Sequence, residues 1–458
     1  MALFLKSKFL YGEEFELKEG ILVIENGVIT DFLENQENLS DILTKEDDKI
    51  ITYEGLVIPS FNNLHTHIGD SAIKDVGINR TLDELVKPPH GLKHRFLNNC
   101  SDKDIVNGMI AGMCELYENG THIFCDYREN GLKGIQLLNN ALNLFNVSKG
   151  ITKNSDSTNN SKNLLEPYVL GRPTIRLENT TKDDIKEDLR NEIFQILDLS
   201  QGIGLSGLNE YDDCELKFIR RVIDEYNSHN DNDNGEDNIK GNIKGNIKGN
   251  IEVNIKDNSK VKSKKVFSVH AGEHEGSVQY SHKNYGLSEI ERLINLELSP
   301  NFIIHAVHVS DQEIQQIKEN NIPLVVCPRA NASFNVGLPK INELHEKGIL
   351  MAIGTDNFMA NSPSIFREMD FIYKLYHLEP LEILKMATVN GNKILGNSDY
   401  NYKNTGLIKE GFKPNFSFIN YNFENSKNLI ATLITRCESK NIDIEFKYKF
   451  ESLLSKSL

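Results

Sequence analysis

Residues 56–70 read LVIPSFNNLHTHIGD, an apolar run followed closely by two histidines, His65 and His67. Successive side chains of a strand point to opposite faces, so residues i and i+2 share a face and can bind one metal ion. The chain has 13 histidines in 458 residues, and two histidines that simply end a strand explain the pair equally well. The pair therefore indicates a metal site only if other ligands accompany it.

Further ligand-type side chains follow later apolar runs. KVFSVHAGEHEG contains His270 and Glu273, and FIIHAVHVS contains His305. LMAIGTDNFM brings in Asp356. In an α/β barrel the carboxyl ends of the strands converge on one face, where active sites are built. Histidine nitrogens and a carboxylate from several strands suit a catalytic divalent metal with a position left for water. The pattern therefore predicts a catalytic metal site.

The rest of the chain alternates between apolar runs and amphipathic stretches. The apolar runs predict buried strands at 56–59, 123–125, 168–170, 266–269, 302–304, 324–326 and 350–353. The amphipathic stretches predict helices at 102–117, 182–199, 213–226, 288–296, 311–320 and 363–376. Repeated strand–helix alternation favours parallel strands covered by helices. We therefore expect an α/β fold with a barrel in the middle of the chain.

The two ends of the chain have a different pattern. Residues 1–58 and roughly 404–425 contain short β-like runs with turn residues and no long helix. We expect a small β-sandwich domain formed by both termini. The predicted domains are thus 1–58 for its N-terminal part, 59–403 for the barrel, and 404–458 for its C-terminal part and tail.

Two stretches look like insertions instead of core. Residues 230–265 repeat the unit Asn-Ile-Lys-Gly and are poor in apolar residues, which predicts a disordered insertion. A lysine-rich binding arm is the alternative, but 8 lysines there face 6 acidic residues, a small excess of charge. The polar run 152–162 predicts a second surface loop.

The composition argues against several functional classes. The net charge of −15 disfavours a nucleic-acid-binding surface. No run of 18 apolar residues occurs, so we expect no membrane span. The six cysteines are scattered without a CxxC pair, which predicts neither a disulfide framework nor a thiolate zinc site. We therefore expect a protein of the reducing cytoplasm.

The order HxH, HxxE, H and D resembles the amidohydrolase superfamily, and within it the aminohydrolase branch. That branch includes guanine, cytosine and S-adenosylhomocysteine-type deaminases and the related triazine chlorohydrolases. The stretches VVCPRANASFNVGLPKI (325–341) and TGLIKEGFKPNFSFIN (405–420) resemble later family segments. Cys327 stands where the family more often has Asn, and residues 415–417 depart from the usual Ala-Asp-Leu. The resemblance implies a (β/α)8 TIM-type barrel with a small β domain.

The resemblance also implies roles for individual residues. One divalent metal ion, zinc before iron or manganese, would be bound by His65, His67, His270 and Asp356. Asp356 would also accept a proton from the attacking water. Glu273 would carry a proton to the substrate ring and then to the leaving ammonia, and His305 would polarise the nucleophile or the intermediate.

The number of metals follows from an absence in the sequence. Binuclear members of the superfamily bridge two metals with a modified lysine, or sometimes a glutamate, at the end of the fourth strand. Here that strand is expected in GIGLSGLNEYDDCEL (202–216), which has no lysine, although Glu210 lies in it. The absence favours one metal.

Three further residues are candidate substrate contacts. Arg128, in IFCDYRENG, would either receive an anionic or carbonyl group of the substrate or belong to a surface salt-bridge cluster. His308 would more often shape the pocket than touch substrate. Asn331 is kept from the family segment that surrounds it.

These observations predict a metal-dependent hydrolytic deaminase that acts on an aminated nitrogen heterocycle, such as a nucleobase or nucleoside, and releases ammonia. A chlorohydrolase-like or amide or cyclic-amide hydrolase on the same fold is the alternative. A non-catalytic scaffold is a third interpretation, disfavoured because the full ligand set is present. The expected partner is a small heterocyclic molecule, with no nucleic acid and no membrane, and assembly into a homo-oligomer stays open.

Overall fold

The computed structural model describes residues 2–34, 47–76, 79–87, 90–149, 163–177, 183–232 and 263–457. The predicted surface loop at 152–162 lies outside these ranges. Of the predicted insertion at 230–265, residues 233–262 lie outside them as well.

The described residues form fourteen strands and sixteen α-helices. The strands are β1 (Ala2–Tyr11), β2 (Glu16–Glu25), β3 (Val28–Glu34), β4 (Lys49–Pro59), β5 (Phe61–His67), β6 (Thr121–Arg128), β7 (Glu166–Gly171), β8 (Gly202–Leu205), β9 (Val266–Ala271), β10 (Phe302–His305), β11 (Leu324–Val326), β12 (Met351–Ile353), β13 (Asp356–Asn357) and β14 (Phe416–Ile419). The helices are α1 (Leu82–Val86), α2 (Leu92–Asn99), α3 (Asp102–Glu118), α4 (Gly131–Ser148), α5 (Asp183–Leu199), α6 (Asp213–Asn232), α7 (Glu275–Tyr285), α8 (Glu289–Asn295), α9 (Asp311–Glu319), α10 (Pro328–Ser333), α11 (Ile341–Glu346), α12 (Ile365–Tyr376), α13 (Pro380–Ala387), α14 (Val389–Gly396), α15 (Leu429–Arg436) and α16 (Ile444–Ser457). Among these helices, none is both long enough and apolar enough to cross a membrane.

The central part of the chain is the expected (β/α)8 barrel. Strands β5 to β13 form one parallel sheet in the order β12-β11-β10-β9-β8-β7-β6-β5-β13. Its two edge strands, β12 and β13, are consecutive in the chain and separated only by Gly354 and Thr355. The eighth strand is therefore interrupted. Its first half pairs with β11 and its second half with β5, which closes the sheet on itself.

Hydrogen bonds at this interruption join the eighth strand to the first. The Thr355 N–H donates to the carbonyl of His65 at 3.1 Å and to the Asn63 side-chain oxygen at 3.0 Å. The Asn63 amide in turn donates to the Thr355 hydroxyl at 2.7 Å. A Cβ at Gly354 would lie 2.5 Å from the Cβ of His65, so only glycine permits this close approach. We call this contact the closing seam.

The first apolar run of the sequence is not the first barrel strand. Residues 56–59 end β4, which pairs with β1 and β14 in the terminal sheet. The barrel begins after Ser60 with β5, and the two histidines lie within that strand. The prediction placed the histidines just beyond a strand. The boundary was missed because Pro59 and Ser60 separate two buried strands that read as one apolar segment.

Both termini build the small β domain, as predicted. Its five-stranded sheet has the order β14-β4-β1-β2-β3. The layer that covers this sheet is helix α16, where a second β layer was expected. Phe446, Phe450 and Leu454 pack on the sheet, and their spacing of four places them on one face of a helix. Helix α15 instead packs on the barrel through Leu433 and Ile434.

Replacing Asn63 with Ala is expected to lower the free energy of unfolding by about 2 kcal/mol, because the buried Thr355 hydroxyl loses its donor at the closing seam. Urea unfolding of the metal-free protein measures this change. The control Asn397→Ala removes an exposed amide and should change stability by less than about 0.5 kcal/mol. Equal effects of the two substitutions would contradict the role given to the seam.

Candidate metal and catalytic site

The residues singled out in the sequence meet at one end of the barrel. His65 and His67 end β5, His270 lies near the end of β9, and His305 ends β10. Asp356 begins β13, where it pairs with Thr66 of the first strand. These positions are the carboxyl ends of parallel strands, so their side chains share one face of the barrel.

Four donor atoms lie there in two groups that share His65, one with His67 and Asp356 and the other with His270. Asp356 Oδ1 lies 3.2 Å from His65 Nε2 and 3.5 Å from His67 Nε2. The Nε2 atoms of His65 and His270 are 3.1 Å apart. All four side chains are buried. Ligands at about 2.1 Å around a tetrahedral zinc ion stand about 3.4 Å from one another, so these three distances are in the range expected of metal ligands.

The hydrogen bonds on the outer side of the imidazoles decide which nitrogen faces inward. His270 Nδ1 lies 2.8 Å from the carbonyl oxygen of Leu205, which can only accept, so Nδ1 carries the proton. His67 Nδ1 faces the Glu129 carboxylate at 3.1 Å and donates in the same way. The Nε2 lone pairs of both rings are therefore free to bind a cation.

The electrostatics of the ligands suit metal binding. Burial lowers the pKa of His65 to about 3 and also lowers the pKa of His270, which keeps both rings neutral. Burial alone would raise the pKa of Asp356, but its hydrogen bond to His65 holds that pKa below the ordinary value. Neutral imidazoles and an ionised carboxylate are the forms that coordinate a divalent metal.

Two of the predicted residues have a strained backbone. His305 has φ of +77° and Asp356 has φ of +63°, in the left-handed region that non-glycine residues rarely adopt. Such a conformation costs about 1–3 kcal/mol and persists where the surrounding structure imposes it. Strain of this kind concentrates at functional sites, and here it turns both side chains toward the same space.

Glu273 lies beside the four donors and is the more open member of the group. Its Oε1 is 3.6 Å from His305 Nε2, and its side chain is 17% exposed against 1% for His305. Burial of the carboxyl group, together with the negative charge of Asp356, raises the pKa of Glu273 above its ordinary value. A protonated carboxyl group at the open side of the site can donate a proton to a bound molecule.

The structure places Asn331 behind His305. Its amide nitrogen, which can only donate, lies 3.1 Å from His305 Nδ1, so Nδ1 accepts and the imidazole proton sits on Nε2, toward Glu273. Burial lowers the pKa of His305 to about 4, so the ring is neutral. His308 is half-buried, and its Nε2 lies 2.5 Å from the carbonyl oxygen of Val336, which ties two loops together.

Arg128 lies in a buried ion-pair cluster. Its guanidinium donates to Asp126 at 3.3 Å and to the Glu129 carboxylate. The backbone at Gly69 approaches the Arg128 guanidinium so closely that a Cβ there would clash with it. Of the two interpretations of Arg128, the salt-bridge cluster fits this position, but the cluster is buried and was expected on the surface. All donors named here are committed to protein acceptors.

Several residues of the site had no clear signal in the sequence. Lys93, on α2, is buried and lies 2.5 Å from Glu129 Oε1. Tyr127 packs its ring against His65, with 4.6 Å between the ring centroids. Leu205 contributes only a backbone carbonyl. A charged residue on a short helix or a carbonyl at a strand end has no pattern that marks it, whereas Glu129 could be suspected from its place after a strand.

The fourth barrel strand, β8, lies in the segment where it was expected, 202–216. It ends at Leu205, and Ser206 donates to the Glu210 carboxylate at 2.7 Å. Among the described residues, the groups of His, Cys, Asp and Glu side chains that could hold a metal ion do not include Glu210. They comprise the six residues predicted from the sequence, namely His65, His67, His270, Glu273, His305 and Asp356.

The loop that carries Glu273 is held by Glu289 of α8. Glu289 accepts from the Gly272 N–H at 2.8 Å, from the Ser277 hydroxyl at 2.8 Å and from the Asn209 amide at 3.1 Å. Asn209 is itself fixed by the guanidinium of Arg292 at 3.0 Å. Every contact of this carboxylate is with a donor, so it holds the backbone directly before Glu273 in one position.

Comparisons with known proteins agree with this geometry. The sequence model of the amidohydrolase family matches residues 56–442. An uncharacterized protein of Methanocaldococcus jannaschii is 46% identical over 96% of each chain. A 5-methylthioadenosine/S-adenosylhomocysteine deaminase of Pyrococcus furiosus is 24% identical over 90% of this chain and 84% of its own. The crystal structure of an adenosine deaminase from Xanthomonas campestris with bound zinc has the same fold, with a TM-score of 0.69, 15% identity, and coverage of 100% of this chain and 99% of that one.

Replacing Glu289 with Gln is expected to lower the free energy of unfolding by about 1–3 kcal/mol, because the new amide group would face a donor among its three contacts. Urea unfolding of the metal-free protein measures the change. The control Glu346→Gln alters an exposed carboxylate and should leave stability within about 0.5 kcal/mol. A Glu289→Gln protein as stable as the control would show that this carboxylate does not hold the loop.

Proposed function

This chain belongs to the amidohydrolase family and is a hydrolase of carbon–nitrogen bonds, and we propose that it is a metal-dependent deaminase of an aminated nitrogen heterocycle. The observation that carries the proposal is the convergence of three imidazoles and a carboxylate beside a second, more open carboxyl group, Glu273. The first set suits a metal ion. The second supplies the proton that an amino leaving group needs.

The proposed metal ligands are His65, His67, His270 and Asp356. Their donor atoms are 3.1–3.5 Å apart where measured, and the outer hydrogen bonds of two imidazoles leave the inner nitrogens unprotonated. Zinc is the first choice because this nitrogen and oxygen set is typical of catalytic zinc, with iron or manganese as alternatives. When bound, such a dication lowers the pKa of water toward about 7 and supplies a nucleophile at neutral pH.

The other residues move protons and hold charge. Asp356 would accept the proton that water loses as its oxygen attacks the amino-bearing carbon. Glu273 would protonate the neighbouring ring nitrogen, then take the proton of the new hydroxyl group and pass it to the amino group. The carbon–nitrogen bond would break as this group leaves as ammonia, and the proton held by Asp356 would return to Glu273. The His305 imidazole would donate from Nε2 to the oxygen that becomes negative.

Deamination fits this site better than the two alternative hydrolyses. A chloride leaving group needs no proton, whereas Glu273 stands next to the site with a raised pKa and can give one. Amide hydrolysis with two metals would need a bridging ligand at the end of β8, and that segment has no lysine. The deaminases among the similar proteins support a nucleobase, nucleoside or related compound as the substrate.

The substrate contacts predicted from the sequence are revised in this proposal. Asn331 would position His305 from behind, and Arg128 would act within the buried ion-pair cluster. His308 would shape the wall of the pocket through its bond to Val336. None of these three is needed to hold the metal.

The metal can be tested by elemental analysis. Protein expressed with zinc, iron and manganese supplied should contain about one equivalent of metal per chain, because the four proposed ligands are the number that one zinc ion takes. Removal of the metal with a chelator should abolish ammonia release, and added zinc should restore it. Only traces of metal in the purified protein, or full activity without metal, would refute the proposal.

Replacing Glu273 with Gln should lower the rate of ammonia release by about 10²–10⁴-fold, since the amide cannot carry the proton. The metal content should stay unchanged because Glu273 is not among the four ligands. The assay uses a panel of aminated purines, pyrimidines, pterins and adenosine derivatives. Glu275→Gln, two residues away and exposed, is the matched control. An unaffected rate in the Glu273 variant would exclude it as the proton carrier.

A further inference from the structure

Five buried charged residues form a cluster directly behind the metal ligand His67. All are at most 3% exposed, and we call them the charged cluster: Asp70, Lys93, Asp126, Arg128 and Glu129. Burying so many charges is costly unless each is paired. The sequence gives no reason for this cost, and none of the five residues takes part in the proton transfers proposed above.

Glu129 is the member of the cluster that touches the site. Its Oε1 lies 3.1 Å from His67 Nδ1 and 2.5 Å from the Lys93 ammonium. Its Oε2 accepts from the Arg128 guanidinium. Both carboxylate oxygens are therefore fixed by cationic donors, and the orientation of the carboxylate toward His67 is determined by Lys93 and Arg128 together.

Lys93 is held in turn by Asp70, which also accepts hydrogen bonds from residues that follow Asp356. Asp70 Oδ2 lies 3.4 Å from the Lys93 ammonium and accepts from the Asn357 amide at 2.7 Å. Asp70 Oδ1 accepts from the Met359 N–H at 3.0 Å. Asn357 follows Asp356 in β13, so the cluster connects the strand of His67 with the strand of the carboxylate ligand.

Arg128 is anchored in the same manner. Asp126 Oδ2 receives the Arg128 guanidinium at 3.3 Å, and Asp126 Oδ1 accepts from the Ile68 N–H at 2.7 Å. Ile68 follows His67 directly. The backbone after His67 and the carboxylate that contacts its imidazole are thus fixed by one connected set of ion pairs.

We propose that Glu129, clamped between Lys93 and Arg128, is a positioning residue that fixes the His67 imidazole for metal binding. As an acceptor, the carboxylate keeps the proton of His67 on Nδ1 and directs the Nε2 lone pair to the metal. Partners of this kind behind a metal-ligating histidine raise metal affinity about 10–100-fold. The inference rests on the proposed function, because it requires His67 to be a ligand.

The test measures the dissociation constant of Zn²⁺ by competition with a chromophoric chelator. Glu129→Gln should bind Zn²⁺ about 10–100-fold more weakly than the unmodified protein. The control Glu215→Gln changes another buried glutamate paired with an arginine, Arg176, at 2.9 Å. It touches none of the proposed ligands, so its Zn²⁺ affinity should be unchanged. Equal affinity of Glu129→Gln and the unmodified protein would overturn the inference.

A double-substitution cycle separates positioning from a general loss of structure. If Glu129 acts through His67, then Glu129→Gln should have little further effect on Zn²⁺ affinity once His67→Ala is present. The same loss in both backgrounds would overturn the inference. If Glu129→Gln does not fold, Glu129→Asp serves instead, since it keeps the charge between Lys93 and Arg128 but withdraws it from His67.

The two proposals fail in different ways. An unmodified protein that binds no metal refutes the proposed function itself. A protein that binds one metal and releases ammonia, but whose Zn²⁺ affinity does not respond to Glu129, refutes only the positioning role.

Discussion

The closing seam between the eighth and the first barrel strand is the contact on which the site depends. Gly354 and Thr355 interrupt the eighth strand, and Asn63 and the His65 carbonyl bind the residue at the break. Because β13 then pairs with β5, Asp356 stands opposite Thr66, between the two histidines of the first strand. Without closure, β5 and β13 would be at opposite edges of an open sheet, and Asp356 would lie far from His65 and His67.

Three of the four imidazoles of the site have a polar partner on their outer side, whereas Nδ1 of His65 has none. A carbonyl holds His270, a carboxylate holds His67, and Asn331 lies against His305. Each outer partner leaves a nitrogen that points at the other ligands. Buried polar groups normally have hydrogen-bond partners. The Nε2 atoms of His65 and His270 face each other at 3.1 Å, and His67 Nε2 faces Asp356 Oδ1 at 3.5 Å. A cation between these atoms best explains the arrangement.

Much of this could be predicted because strand ends in a barrel have a sequence signature. Apolar runs located most barrel strands, and the polar residues that follow them identified His270, Glu273, His305 and Asp356. The terminal β domain was also predicted, but α16 was not, since Phe446, Phe450 and Leu454 lie in a tail whose partner sheet comes from the other end of the chain. Arg128 shows the opposite limit, because its ion-pair partners Asp126 and Glu129 are its neighbours in the sequence, but packing decides that the group is buried.

The sequence by itself determined the barrel, the set of candidate ligands and the absence of a lysine at the fourth strand, because these depend on local periodicity and residue type. Tertiary structure decided which nitrogen of each histidine faces inward, where Arg128 and Lys93 lie, and how the eighth strand closes on the first. Those features are contacts between residues far apart in the chain, such as Lys93 with Glu129 or Asn63 with Thr355. Their geometry exists only when the strands and helices are packed together.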